Sequence, residues 1–467
     1  MSKLYYRISK SPIVLDYGEN ANGRNNFKKK YFRRIIVSGL ISVLLILLII
    51  YTLPYTILNV SSLIEYSIVV ALALFLLILL VRYFGVLFFS YFYLNEYTFN
   101  DTNDFTPFVS IIVPAFNEEK IIENSINSLL NLNYGNYEII IVNDGSTDNT
   151  KAVVEKLVGY KKGKAGVVKI SLIDKPNGGK STALNAGIEY AKGEFILCMD
   201  GDSQLSSNSL KLAVRHFKNP KIGAVAGNVK VMNRNKFYTD LQALEYVEGL
   251  NMVRSAQSYV RLVNIIPGPI GIFRKTALKE VQNYSNDTFA EDADLTLKLL
   301  AKGWKIYYEP EAVSYTEAPS TLQELLKQRY RWTRGIIQSI RKHKNLLVNP
   351  TINFGDTLIL WVMLYEALIW PVMNIMAHLF FIVAALVFGL QSLIFFWWAG
   401  LALLDIAAAI YCVAAEREEL RLVWYAIFYR MFFILVIDVC KLMSTIEEFI
   451  GIKMTWGKLR REGTVKV

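Results

Sequence analysis

The chain is apolar at both ends and patterned in its middle. From about Ile35 to Leu58, and again from about Ile64 to Val81, it is almost continuously hydrophobic, and each run is long enough for a membrane-spanning helix. Pro54 interrupts the first run. Arg82 is expected to end the second, because a charge at mid-bilayer is expensive; Tyr83–Tyr97 then reads as an interfacial aromatic belt or the frayed end of that helix. From Phe108 the pattern changes. VSIIVPAFNEE predicts a buried strand stopped at Pro114, Ile121–Leu132 a helix, YEIIIVNDGS a second strand and Thr150–Val158 a second helix. VVKISLID and EFILCMD are two further strands, separated by a helix over Ser181–Ala191. Continuously apolar strands alternating with helices predict an α/β domain with a mostly parallel sheet covered on both faces. Ligands of such sheets sit beyond the carboxyl ends of the strands. Those ends carry Asn117 and Glu118, then Asp144, then Asp200 and Asp202.

Apolar runs resume after about Gly355. Leu358–Gln391 would be roughly 51 Å long as a helix, too long for one span and too short for two. Pro371 is expected to divide it into an interfacial helix, Leu358–Trp370, which carries Glu366, and a span, Pro371–Leu390. Leu393–Val413 and Leu422–Leu442 follow, giving two spans before the domain and three after it. An odd total leaves the tail KLRREGTVKV outside, against the positive-inside rule, and a fourth C-terminal span would remove the conflict. The expected layout is a cytoplasmic segment (1–34), two spans with an interfacial segment (35–106) and a cytosolic domain (107–320). Interfacial helices (321–370), C-terminal spans (371–445) and a basic tail (446–467) complete it.

Hydrophobic residues make up 53% of the 467, which excludes an ordinary soluble enzyme. The net charge of +11 first suggests nucleic acid. Lys28–Lys30 and Arg33–Arg34 flank an apolar run, however, and positive-inside anchoring in a bilayer accounts for such clusters with no nucleic acid. The first apolar run is too long for the core of a signal peptide and lacks a small-residue cleavage pattern. Cys198, Cys412 and Cys440 have no metal spacing and form no disulfide framework, and His216, His343 and His378 are isolated, as packing or surface residues are.

Two carboxylates separated by one glycine end the EFILCMD strand. In an extended segment Asp200 and Asp202 would point the same way and raise one another's pKa. A divalent cation, Mg²⁺ or Mn²⁺, relieves that conflict, and such an ion fills its shell with water and substrate phosphates, so the implied substrate carries a diphosphate. A solvated Asp-Gly-Asp turn is the plain alternative. Asp144, in VNDGSTD, is within reach of a nucleotide base or ribose, or belongs to a turn that caps the next helix. Lys180, in NGGKS, could neutralise a phosphate, although the loop lacks Walker A spacing. Glu291 and Asp292 open the helix AEDADLTLKLLAKGW; one of them could be a general base, and both also complement a helix dipole. Gln328, Arg331 and Trp332 share a helix face that suits a diphosphate and a sugar ring, or a lipid surface.

Taken in order between apolar segments, VNDGSTD, NGGKSTALN, DGDS, AED and QRYRW resemble the processive membrane synthases of glycosyltransferase family 2. These make poly-N-acetylglucosamine, hyaluronan, chitin and cellulose. The resemblance covers about residues 108–345 and implies a GT-A, Rossmann-like nucleotide-diphospho-sugar transferase domain in the cytoplasm, held by a multi-pass anchor in the cell membrane. It implies uridine contact at Asp144, diphosphate and metal contacts at Asp200 and Asp202, and the catalytic base at Asp292. Gln328, Arg331 and Trp332 match Gln-x-x-Arg-Trp, which binds the diphosphate and the acceptor end. Glu291 and Gly268 are expected as further donor or acceptor contacts, and Ala290 stands where the family has Thr. VNDGSTDNT and GNVKVMNR lean toward poly-N-acetylglucosamine synthases, whereas AQSY and PGPIGIFRK lean toward hyaluronan and chitin synthases. UDP-N-acetylglucosamine is the expected donor and a growing polysaccharide the acceptor, with room for a small accessory membrane subunit. Transfer of one sugar to a lipid carrier and a non-catalytic scaffold are the competing readings.

Overall fold

The structure, a computed structural model, describes residues 39–40, 63–96, 105–348, 354–387 and 391–452. The expected first span, Ile35–Leu58, apart from residues 39–40, and the tail from 453 onward lie outside the described residues. The central domain is one nine-stranded sheet: β1 (Val109–Ala115), β2 (Tyr137–Asp144), β3 (Gly159–Lys162), β4 (Val167–Lys175), β5 (Phe195–Cys198), β6 (Ser203–Leu205), β7 (Ile222–Val231), β8 (Gly271–Arg274) and β9 (Lys305–Thr316). The order across it is β3-β4-β2-β1-β5-β8-β7-β9-β6. Strands β4, β2, β1 and β5 run parallel, with Ile111 opposite both Ile139 and Leu197. Those side chains are fully buried, which is why these strands read as unbroken apolar runs.

The sheet is less parallel than the sequence predicts. β8 lies antiparallel to both β5 and β7, β3 to β4, and β6 to β9, while β7 and β9 pair in parallel. β3, β6 and β8 are only three or four residues long, too short for a period to show. The four parallel strands still bring Asp144 and the residues after β5 to one end of the sheet.

Four helices among the described residues are long and apolar enough to cross a membrane: Tyr66–Asn95, Thr357–Leu386, Trp398–Ala415 and Leu420–Ile450. Two expectations change here. Arg82 does not end its helix, which runs unbroken over Leu63–Glu96. Its guanidinium meets Glu366 of the next apolar helix at 3.1 Å and lies 5.3 Å over the Trp370 ring, so a partner and an aromatic face offset the charge. Pro371 does not divide its segment either. Phe354–Leu364 continues through a wide turn at Tyr365–Ile369 into Trp370–Leu386, and the proline sits at the start of that last piece. A wide turn relieves the clash between a proline ring and the preceding carbonyls, so the helix can pass through.

The domain is bolted to these helices by buried charge. Lys230 of β7 lies 3.0 Å from Glu418, in the loop after Ala415, and Arg234 pairs with the same carboxylate. At the opposite corner Tyr93, near the end of Leu63–Glu96, donates its hydroxyl to the Tyr308 carbonyl.

Candidate active site

Lys180 begins the helix Lys180–Tyr190, directly after Gly178 and Gly179. Its ammonium lies 2.6 Å from Oδ1 of Asp200 and 2.7 Å from Oε1 of Glu291, so one cation joins the end of β5 to the start of the helix Glu291–Ala301. Asp292 and Gly268 line the same cavity. A Cβ at position 268 would stand 2.8 Å from the Lys180 ammonium and 3.1 Å from Asp200 Oδ2, so a larger residue there would press on the ion pair.

Asp200-Gly201-Asp202 is not extended. The Ser203 amide donates to the Asp200 carbonyl at 3.0 Å, which makes the segment a tight turn. Gly201 lies so close to β1 that a Cβ would be 2.8 Å from the Pro114 carbonyl oxygen. The geometric argument for the two aspartates therefore changes, but their charges still meet. Burial pushes the Asp200 carboxyl up, Lys180 pulls it back, and the negative charge of Asp202 raises it further. Burial also raises Glu291, but Lys180 and then Arg331 more than offset it and leave Glu291 below the ordinary range. Asp292 differs. Burial and the charge of Glu291 push it up to about 6 against the pull of Lys180, and its Oδ1 accepts from the Ala293 amide at 2.8 Å. Neighbouring carboxylates with pKa values driven apart are the usual arrangement for one group to act as a base.

No group of three or more His, Cys, Asp or Glu side chains among the described residues is arranged to hold a metal alone. Asp200 lines the cavity, and the charge of Asp202 acts on it. That set fits Mg²⁺ or Mn²⁺, which complete their shell from water and phosphate oxygens.

Asp144 is joined to this centre through the NGGK loop and does not line its cavity. The β2–β4 register sets it opposite Lys175, whose ammonium lies 2.5 Å away. The Gly178 and Gly179 amides donate to its two oxygens at 3.0 and 2.8 Å. The carboxylate thus holds the loop that launches Lys180. Lys175 escapes sequence reading because only strand register reveals it.

The QRYRW helix, Leu322–Lys342, is capped by Thr321, whose hydroxyl accepts from the Glu324 amide at 3.3 Å. Gln328 is buried and accepts from Arg329 at 2.6 Å. Arg329 stacks on Trp332, 4.3 Å from the ring centroid, and Arg331 directs its charge toward Glu291. One turn further, Gly335 packs against the residues before Glu291, and a Cβ there would come within 2.4 Å of the Ala290 nitrogen and 2.6 Å of its Cβ. The Phe289 amide donates to Gln338 at 3.0 Å. This contact explains the small residue at 290 and ties the motif helix to Asp292. Gly335→Ala is expected to lower turnover roughly tenfold to a hundredfold, because the clash is with backbone and small displacements of a base are costly. Initial rates and donor affinity measured together check it, with affinity changing far less than rate.

The isolated histidines are packing residues: His216 meets Glu309 at 2.6 Å, His343 meets Asp294 at 2.8 Å and His378 meets the Asn374 carbonyl at 2.8 Å.

A mixed α/β sheet with converging acids beyond its strand ends, flanked by apolar helices, is a GT-A-type glycosyltransferase architecture. Residues 110–282 match the family described as Glycosyl transferase family 2, and the chain belongs to that family. It is 32% identical over 286 residues to a Staphylococcus epidermidis protein named poly-beta-1,6-N-acetyl-D-glucosamine synthase, covering 59% of this chain and 66% of that one. A Staphylococcus aureus protein of the same name (strain COL) is 33% identical over 228 residues, covering 49% of this chain and 54% of that one. The chain thus spans between about half and two thirds of these relatives. Among solved structures, the mannosyltransferase PcManGT from Pyrobaculum calidifontis, in complex with GDP-Man and Mn²⁺, aligns with a TM-score of 0.56 at 20% identity. The alignment covers 82% of this chain and 100% of that one, a likeness of fold.

Proposed function

We propose that this protein is a membrane-anchored, inverting glycosyltransferase that moves N-acetylglucosamine from UDP-N-acetylglucosamine onto a growing β-linked polysaccharide and passes the polymer across the bilayer. The observation that carries the chemistry is the Lys180 ammonium bound to both Asp200 and Glu291 in the cavity that Asp292 lines. The names of the staphylococcal relatives support the choice of sugar, and the four apolar helices support the membrane setting.

The step is a single displacement. The acceptor hydroxyl oxygen attacks the anomeric carbon as the bond to the diphosphate breaks, and the bonding electrons leave with UDP. The hydroxyl proton passes to Asp292. Lys180 and Arg331 stabilise charge on the departing diphosphate. Asp200 and Asp202 would hold Mg²⁺ or Mn²⁺, which when bound neutralises the same oxygens. Gln328 and Trp332 would hold the acceptor end.

Purified protein in lipid nanodiscs, offered several labelled UDP-sugars with Mg²⁺ or Mn²⁺, tests the reading. A ladder of long products from UDP-N-acetylglucosamine is expected. A single short lipid-linked product would make it a non-processive transferase, and a ladder from another UDP-sugar would change the polymer.

The pH dependence follows from Asp292. A base must be ionised, and its carboxyl is pushed up to about 6. Turnover is therefore expected to fall as pH drops through about 6, and a cation bound beside Asp200 moves that limb to lower pH. A pH–rate profile at saturating donor reads it; a flat profile between pH 5 and 8 would remove the base from Asp292.

A further inference from the structure

Several largely buried arginines among the described residues are paired with carboxylates, and one buried arginine that is not bears on the reaction. Arg234, Arg329, Arg334 and Arg430 meet Glu418, Glu245, Glu448 and Asp405 respectively. Arg254, in the helix Met252–Tyr259, is 7% exposed and forms no ion pair with any described residue. Its Nε donates to the Ile265 carbonyl at 3.3 Å and its Nη1 to Asn251 Oδ1 at 3.3 Å. Neither contact uses Nη2, the remaining edge of the guanidinium. A guanidinium buried without a counter-charge is expensive, and burial pushes this one below the ordinary arginine range.

The two anchors set where that edge lies. Ile265 precedes the cavity-lining segment Ile266-Pro267-Gly268. The Ile266 amide donates to Thr296 Oγ1 at 3.0 Å, and the Thr296 hydroxyl donates to the Asp292 carbonyl at 2.7 Å. Asn251 in turn donates to the Val229 carbonyl of β7 at 2.9 Å. Arg254 is thus fixed between the base's helix and the sheet. The charges that act on it include Asp292 and Glu416, the latter directly after the apolar helix ending at Ala415. Arg254 does not line the cavity that holds Lys180 and Asp200, so its edge is not part of the diphosphate site.

We propose that Arg254 binds the acceptor saccharide, its Nη2 edge donating hydrogen bonds to hydroxyl or amide-carbonyl oxygens of the unit next to Asp292 on the membrane side. A guanidinium offers a fixed fork of donors, which suits a sugar whose acceptors must be held while its hydroxyl is deprotonated. The proposal rests on the transferase reading above.

The test uses the full chain in nanodiscs with UDP-N-acetylglucosamine and an N-acetylglucosamine oligosaccharide primer, comparing wild type, Arg254→Met and Arg254→Lys. Arg254→Met is expected to raise KM for the primer at least tenfold and shorten the products, with KM for UDP-N-acetylglucosamine moving less than threefold. Arg254→Lys should show a smaller rise. An unchanged primer KM, or equal changes in the two KM values, overturns the proposal. If Arg254→Met does not fold, as judged by its thermal midpoint, Arg254→Lys decides alone, and a wild-type primer KM in that variant is the overturning result. A wild-type chain that transfers no sugar sinks the transferase reading itself, which is seen before any variant is compared.

Discussion

Replacing Asp292 by asparagine is expected to lower sugar transfer by about 10²–10⁴-fold, the range a positioned general base contributes, with little change in UDP-sugar affinity. The substitution is nearly isosteric, and the amide oxygen can still accept from Ala293, so the helix start should survive. The basic lone pair is lost. Removing the charge also relieves Asp292's repulsion with Glu291 and Asp200, so the variant should be at least as stable as the wild type. Loss of activity with retained stability separates a catalytic role from a structural one. Initial rates of labelled transfer, donor binding and a thermal midpoint measured on one preparation check it. Wild-type rates would remove Asp292 from the reaction as its base.

Much of this arrangement is legible in the residues, and the parts that are not share a cause. Asp144, Asp200 and Asp202 follow apolar strands, and a parallel sheet brings such ends together, so the site's position follows from the pattern alone. Contacts made across the fold are hidden from it. Lys175 meets Asp144 only through strand register. Gly335 reads as a weak point in a helix until Ala290 is seen against it. The turn at Asp200–Ser203 replaces an expected extended segment because Gly201 must pass under the Pro114 carbonyl. Arg82 and Pro371 look like helix ends until Glu366, Trp370 and the wide turn at Tyr365–Ile369 supply what each lacks. Local rules find elements; long-range partners decide which local rule yields.

Lys180→Met should be the second severe variant, with turnover reduced by about 10²–10³-fold, the scale for removing one preorganised donor from developing negative charge. The ammonium holds Asp200 and Glu291 together and lowers Asp292 as well. Without it, three carboxylates face one another, with Arg331 as a cation that still acts on Glu291. Asp292 should then be harder to ionise, so the acid limb of the pH–rate profile should move upward from its wild-type position as turnover falls. A lysine that merely braced the fold would lower rate or stability without moving that limb, which makes the shift the deciding readout. Lys180→Arg is not expected to rescue the loss. The segment at Gly268 lies against the ammonium so closely that a single added carbon there would be 2.8 Å away. A planar guanidinium is larger than an ammonium and could not bridge Asp200 and Glu291 without pushing that segment back. Full activity in Lys180→Arg would show that charge alone suffices and that the tight packing at Gly268 has no part in the reaction.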